Sequence, residues 1–237
     1  MKADRMVPND SNPELMRSLG RLVRGLSSLF WGLPVALVLS AQAATSNLVM
    51  SLGLLGLIGP GLAHAVLLYG LWMMGSFQSQ ERIWVAALDR ARLFSLLNVG
   101  LSPFLHWHQG APEVLFFTQS AAAMAVSSLC FLFCLNRVLR RLSAMLPDET
   151  LRLETAVFTT LNASLLLLLP VLLGAYLLLI RMGELPLTIR MTIQLLEPLQ
   201  HWLILFLVLL PVAVTMSLIW KIKEAVFSSV FEEGQRH

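Results

Sequence analysis

From Gly25 to Gln80 the chain carries no Asp, Glu, Lys or Arg, a run of 56 residues without a formal charge. A helix needs about 20 residues to cross a bilayer's hydrocarbon core. The run is too long for one span and suits two spans joined by a turn. Gln42 to Asn47 is the only polar cluster near its middle, so the turn is expected there. The stretch reads as a transmembrane helical hairpin, and the rest of the chain repeats the plan.

Composition agrees with a membrane solvent. Only 13% of the 237 residues are charged, about half the usual share of a soluble domain, and mean hydropathy is +0.73. The 17 basic residues exceed the 14 acidic ones by too little to form the concentrated basic face that nucleic acid requires. Fourteen of the 17 are Arg, a bias that fits a GC-rich bacterial genome.

Six spans are expected, at about 27–43, 49–74, 93–107, 114–135, 155–180 and 201–220. The third is short and contains Pro103. His106-Trp107-His108, with Gly110 and Pro112 after it, reads as an interfacial turn with Trp at headgroup depth. Ala41-Gln42-Ala43 resembles a signal-peptidase site, but the charged region before the span is itself as long as a signal peptide, so a retained span is expected. Residues 1–12 read as a loose tail and 13–237 as a single membrane domain with hairpins at 13–80, 81–146 and 147–237.

Segments beside the spans are amphipathic. Leu15, Met16, Leu19, Leu22 and Val23 oppose Arg17, Arg21 and Arg24, and the segments 81–92 and 137–152 alternate similarly. Such patterns suit helices lying on an anionic surface, so interfacial helices are expected on the cytoplasmic side, although the first segment fits a plain cytoplasmic extension of the first span equally well. In residues 181–200 the alternation from Leu187 to Leu195 is strand-like, yet Pro186 and Pro198 equally bracket a short interfacial helix on the outer side, the favoured reading. The basic residues partition as 15 on one face against two, Arg181 and Arg190, on the other. By the positive-inside rule the richer face is cytoplasmic and holds both termini. The expected location is the bacterial inner membrane.

The starts of the first, third and fifth spans align without gaps. Leu26-Ser-Ser-Leu-Phe-Trp-Gly-Leu33 matches Phe94-Ser-Leu-Leu-Asn-Val-Gly-Leu101 and Phe158-Thr-Thr-Leu-Asn-Ala-Ser-Leu165. Three hairpins in one orientation would follow from a true repeat, against chance likeness among Leu/Ser-rich helices. Asn98 and Asn162 hold equivalent positions, where the first copy has Phe30. An amide within a span must face protein, either joining hairpins or lining a polar path.

No expected span has a charged residue near its centre, which argues against an ion-coupled transporter. His64 is the one titratable group deep in a span. A haem ligand, a proton relay and a quinone contact are weighed against a neutral histidine bonded to a neighbouring helix, the favoured reading. Gly59-Pro60-Gly61 is expected to kink the second span, whose glycines permit close packing. Ser120-Ala-Ala-Ala123, Ala125, Ser127 and Ser128 offer the fourth span a similar face. His106, His108 and His201 with Glu113 or Glu197 have the residue types of a metal site without its spacing. No metal or other cofactor is predicted. Cys130 and Cys134, four apart on one helix, read as buried inert thiols.

No phosphate loop, nucleophile elbow or zinc-protease motif is present, and no enzymatic activity is expected. The favoured function is a non-catalytic subunit or scaffold of a larger membrane complex, with the lipid bilayer and other membrane subunits as partners. His64, Asn98, Asn162, Gly59, Pro60 and Gly61 are the packing or pathway candidates. A small permease or channel for a neutral or lipophilic solute is the alternative, and a cofactor-binding electron-transfer subunit the third.

Overall fold

A backbone surrounded by hydrocarbon must satisfy its own hydrogen bonds, which favours helix wherever no residue stops one. Nothing stops one between Arg24 and Ser27, or between Arg92 and Leu93. In the computed structural model, which describes residues 13–45, 53–146, 148–181 and 206–228, the amphipathic segments are therefore the ends of long helices. The helices are α1 (Pro13–Thr45), α2 (Leu54–Met74), α3 (Arg82–Gly110), α4 (Leu115–Ala144), α5 (Glu149–Arg181) and α6 (Phe206–Ser228). At 13–24 this matches the extension of the first span rather than the surface-lying helix, and it corrects the expected separate interfacial helices at 81–92 and 137–152. Their apolar stripes pack on protein instead: Leu22, Leu26, Trp84, Leu88, Leu139 and Leu142 are fully buried. The tail at 1–12, the turn after Thr45 and the segment 182–205 lie outside the described residues.

Among the described residues five helices, α1, α2, α4, α5 and α6, are long and apolar enough to cross a membrane. The chain is a helical multi-pass membrane protein in contact with a lipid bilayer. The third expected span is the one that falls short, because α3 carries Ser95, Asn98, Ser102, Pro103 and a polar last turn. Those polar residues turn inward: Ser95, Asn98 and Ser102 are buried. The expected interfacial turn at His106 to His108 is also helical, and α3 continues to Gly110 before a four-residue connection to α4.

Consecutive helices run antiparallel. Gly25 in the first half of α1 meets Gly70 near the end of α2, while Ser40 nearer the end of α1 meets His64. Arg92 Nη2 donates to Leu71 O at 3.1 Å, tying the start of α3 to the last turn of α2. Ser127 Oγ on α4 donates to Phe94 O on α3, and Lys221 on α6 pairs with Glu154 on α5 at 2.5 Å. Phe30 and Trp220, with ring centroids 5.7 Å apart, bring the first helix against the last.

The alternation gathers the charged helix ends into one layer. Leu22, Met74, Trp84, Leu142, Leu151 and Ile222, drawn from all six helices, belong to a single buried cluster. A smaller cluster of Ala43, Leu105 and Met124 closes the other end. Pro34, Pro60, Pro103 and Pro170 all lie inside helices without ending them.

Candidate functional site

The buried histidine and the buried amides fall on two seams. One lies between α1, α2 and α3. His64 is buried on α2, and its Nε2 is hydrogen-bonded to Ser40 Oγ on α1 at 3.3 Å. Its Nδ1 has no partner, so one ring nitrogen is unsatisfied in either tautomer. Ser95 Oγ on α3 donates to His64 O at 3.4 Å. Ser102, two turns on, turns back to donate to Val99 O at 2.8 Å. Asn98 stands between these serines on the same helical face. It is fully buried, and neither its Oδ1 nor its Nδ2 has a partner.

Close backbone approach shapes this seam. A Cβ on Gly25 would come within 2.7 Å of Gly70 O, a backbone atom. One on Gly61 would stand 2.9 Å from Ser102 Oγ. The flanking Gly59 has only Leu39 Cδ1 nearby, at 4.0 Å, and Pro60 is buried within a continuous α2. Of the three candidates in Gly59-Pro60-Gly61, Gly61 is thus the one set against the polar face of α3.

The second seam joins α4, α5 and α6. Asn162 is fully buried on α5, and its Nδ2 donates to Thr215 Oγ1 at 2.8 Å and to Pro211 O at 3.2 Å, both on α6. Asn136 Nδ2 on α4 donates to the same Thr215 hydroxyl at 3.1 Å and to Leu132 O at 2.8 Å. Thr215 Oγ1 in turn donates to Pro211 O at 2.8 Å. One hydroxyl therefore accepts from two amides on two other helices. The Oδ1 atoms of both asparagines have no partner.

The two asparagines singled out by the sequence repeat thus sit on different seams. Their helices nevertheless share a phase. From Phe94 to Leu101 and from Phe158 to Leu165, burial matches at all eight aligned positions. The first copy is out of phase: Leu29 is fully buried and Phe30 half-buried. Where the later copies bury an amide, the first half-buries the aromatic Phe30 and buries the preceding Leu29 instead.

Sequence reasoning missed Asn136, Thr215 and Gly25. Asn136 falls between the expected fourth span, which ends at Leu135, and the charged connector that begins at Arg137, and carries no expectation of its own. Thr215 had a usable signal, a hydroxyl well inside an otherwise apolar span. His106 and His108 lie in the last turn of α3, where His108 Nδ1 is hydrogen-bonded to Thr118 Oγ1 at 3.3 Å. His201 and Glu197 lie outside the described residues, and no cluster of three metal-ligating side chains occurs among those described. Cys130 and Cys134 are free and half-buried rather than buried, since both sit on flanks of α4.

The first seam offers neutral hydrogen-bonding groups of both kinds, a donor pair and acceptors, with no carboxylate among them. Its unpartnered atoms, one His64 nitrogen and both Asn98 amide atoms, are uncharged hydrogen-bonding groups. The second is a structural joint. Protein-family models, curated proteins and solved structures were compared with the chain, and none matches it.

Proposed function

We propose that the protein is a non-catalytic integral subunit, or scaffold, of a larger membrane complex in a bacterial inner membrane. In this reading α3 also crosses the bilayer, giving six spans in three hairpins, with both termini on the basic, cytoplasmic side. The observation that supports it is a small-residue surface that the fold leaves open. The small-residue face of α4 divides: Ser120 and Ser127 are buried, whereas Ala122, Ala123 and Ala125 are exposed. Within lipid, small residues allow a neighbouring helix to approach closely, and packing there replaces the hydrophobic drive.

Purification of the tagged protein from its native host in mild detergent tests the reading. Subunits co-purifying in fixed ratio, and lost from Ala122→Phe and Ala125→Phe variants of unchanged thermal stability, are expected. A lone, monodisperse protein would defeat it.

A second reading rests on a different observation. The unpartnered atoms of Asn98 and His64 Nδ1 suit a permease that passes a neutral hydrogen-bonding solute along the α2–α3 seam. In that case Asn98→Leu abolishes flux into proteoliposomes while leaving the fold intact.

A further inference from the structure

Counting basic residues along the chain orients it but does not show which of them meet. The antiparallel packing brings the start of α3, the end of α4 and the start of α5 together. Between them lies a cleft of about 800 Å³ lined by Arg82, Arg90, Arg137, Arg140, Arg141 and Arg152. No acidic residue lines it. Arg141 pairs with Glu81, and Arg152 lies 3.8 Å from the exposed Glu149. Arg82, Arg90, Arg137 and Arg140 have no carboxylate partner among the described residues. Four arginines without counter-charge thus line one cleft, Arg137 with its guanidinium over the Phe133 ring, an arrangement whose mutual repulsion an anion would relieve. Arginine's planar fork also matches phosphate oxygens in pairs.

The rest of the lining is apolar, including Ala87, Cys134, Leu153 and Ala156. Ala156 is shared with a second, shallower groove of about 500 Å³ that runs along α5 past Val157, Thr160, Leu161 and Ser164. The two hydroxyls in that groove are spent on their own helix, Thr160 Oγ1 on Ala156 O and Ser164 Oγ on Leu161 O, each at 2.8 Å. An arginine-rich mouth at the helix ends therefore leads into an apolar track along a membrane-crossing helix. A soluble phosphate compound would use only the mouth. An amphiphile uses both.

We infer that this cleft between α3, α4 and α5 is a binding site for an anionic phospholipid, with its phosphates among the arginines and an acyl chain along α5. Basic pockets between membrane helices on the cytoplasmic side take such headgroups. The site is independent of whether the protein serves as a subunit or a permease.

The test titrates the full-length protein, purified in a delipidating detergent, with cardiolipin, phosphatidylcholine or inorganic pyrophosphate, and reads the thermal unfolding temperature. Cardiolipin is expected to raise it, and the other two to leave it unchanged. Joint substitution Arg90→Gln and Arg137→Gln, one arginine from each of two helices, should weaken cardiolipin binding roughly tenfold or more. The same charge removed from α1, by Arg21→Gln with Arg24→Gln, should leave binding unchanged. Equal stabilisation by phosphatidylcholine overturns the proposal, as does equal weakening by both pairs of substitutions. Stabilisation by pyrophosphate matching that by cardiolipin overturns it in favour of a soluble polyphosphate. The wild-type titration decides even if the arginine variants fail to fold.

Discussion

Asn98 and Asn162 occupy the same register of two helices that share a phase, yet one is bare and the other is fully engaged as a donor. Asn162 reaches α6 through Thr215 and Pro211, and Asn136 reaches the same hydroxyl from α4. Asn98 faces a seam closed by other means, with glycines that let backbones approach and serines that bond to backbone carbonyls. The difference shows that a repeated amide does not carry a repeated role. What matters is whether the opposing helix presents a side-chain hydroxyl within reach. Amides sharing one hydroxyl join α4, α5 and α6, whereas close backbone approach and a few serine contacts join α1, α2 and α3 and leave polar capacity over.

The largest effect should come from attacking shape. Gly25→Leu places a Cβ 2.7 Å from a carbonyl oxygen on α2 that cannot rotate away. Overpacking of this kind costs roughly 3 kcal/mol, visible as a lowered unfolding temperature in detergent. Tolerance of leucine there would show that close approach does not hold the first seam.

Attacking the hydrogen bonds should cost less. Thr215→Val keeps the volume but removes the acceptor that two amides share. Both amides retain a carbonyl partner, Leu132 O for Asn136 and Pro211 O for Asn162, which limits the loss to roughly 1–2 kcal/mol. A Thr215→Ser variant should recover most of it. Failure of serine to do so would assign the loss to packing of the threonine methyl group.

The sharpest contrast pairs two identical substitutions. Asn162→Leu should destabilise by about 1 kcal/mol, because it removes donors with good partners. Asn98→Leu should be neutral or stabilising, because it removes a buried amide that has none. Equal destabilisation would mean that Asn98 is satisfied by a bound group, which strengthens the pathway reading at the expense of the scaffold one.

The sequence made some of this legible for plain physical reasons. Long uncharged runs can be solvated only by lipid or protein, so five membrane-crossing helices could be read directly. Helix continuity could not, because amphipathic segments look alike whether their apolar stripe lies on lipid or on Trp84 and Leu88 of the same chain. The hydropathy of α3 is lowered by Ser95, Asn98 and Ser102, which the fold buries, so its polarity reflects an interior face. His64 and Asn98 could be picked out as polar groups at depth, and both lie on one seam. Their lack of partners could not be read, since it depends on which side chains α1 and α2 set opposite. The arginines of the cleft were visible one by one. Their convergence needed the packing of α3 against α4 and of α4 against α5.

The smallest effect probes the rim of the hydrogen-bonded half, where the chain leaves α4 and starts α5. Asp148 caps that start: its Oδ1 accepts from Thr150 N at 2.9 Å, Leu151 N at 3.1 Å and Thr150 Oγ1 at 2.6 Å. The Thr150 hydroxyl first, and then the backbone N–H groups, hold its carboxyl below the usual carboxylate range. A depressed folded-state value stabilises the fold above the unfolded value, and that contribution is lost as pH falls through the folded one. Unfolding temperature should therefore fall slightly in acid below the ordinary aspartate range. Asp148→Asn retains a capping oxygen without the titration, so its acid loss should be smaller than that of the wild type. Identical acid profiles would show that the charge on Asp148 does not anchor α5.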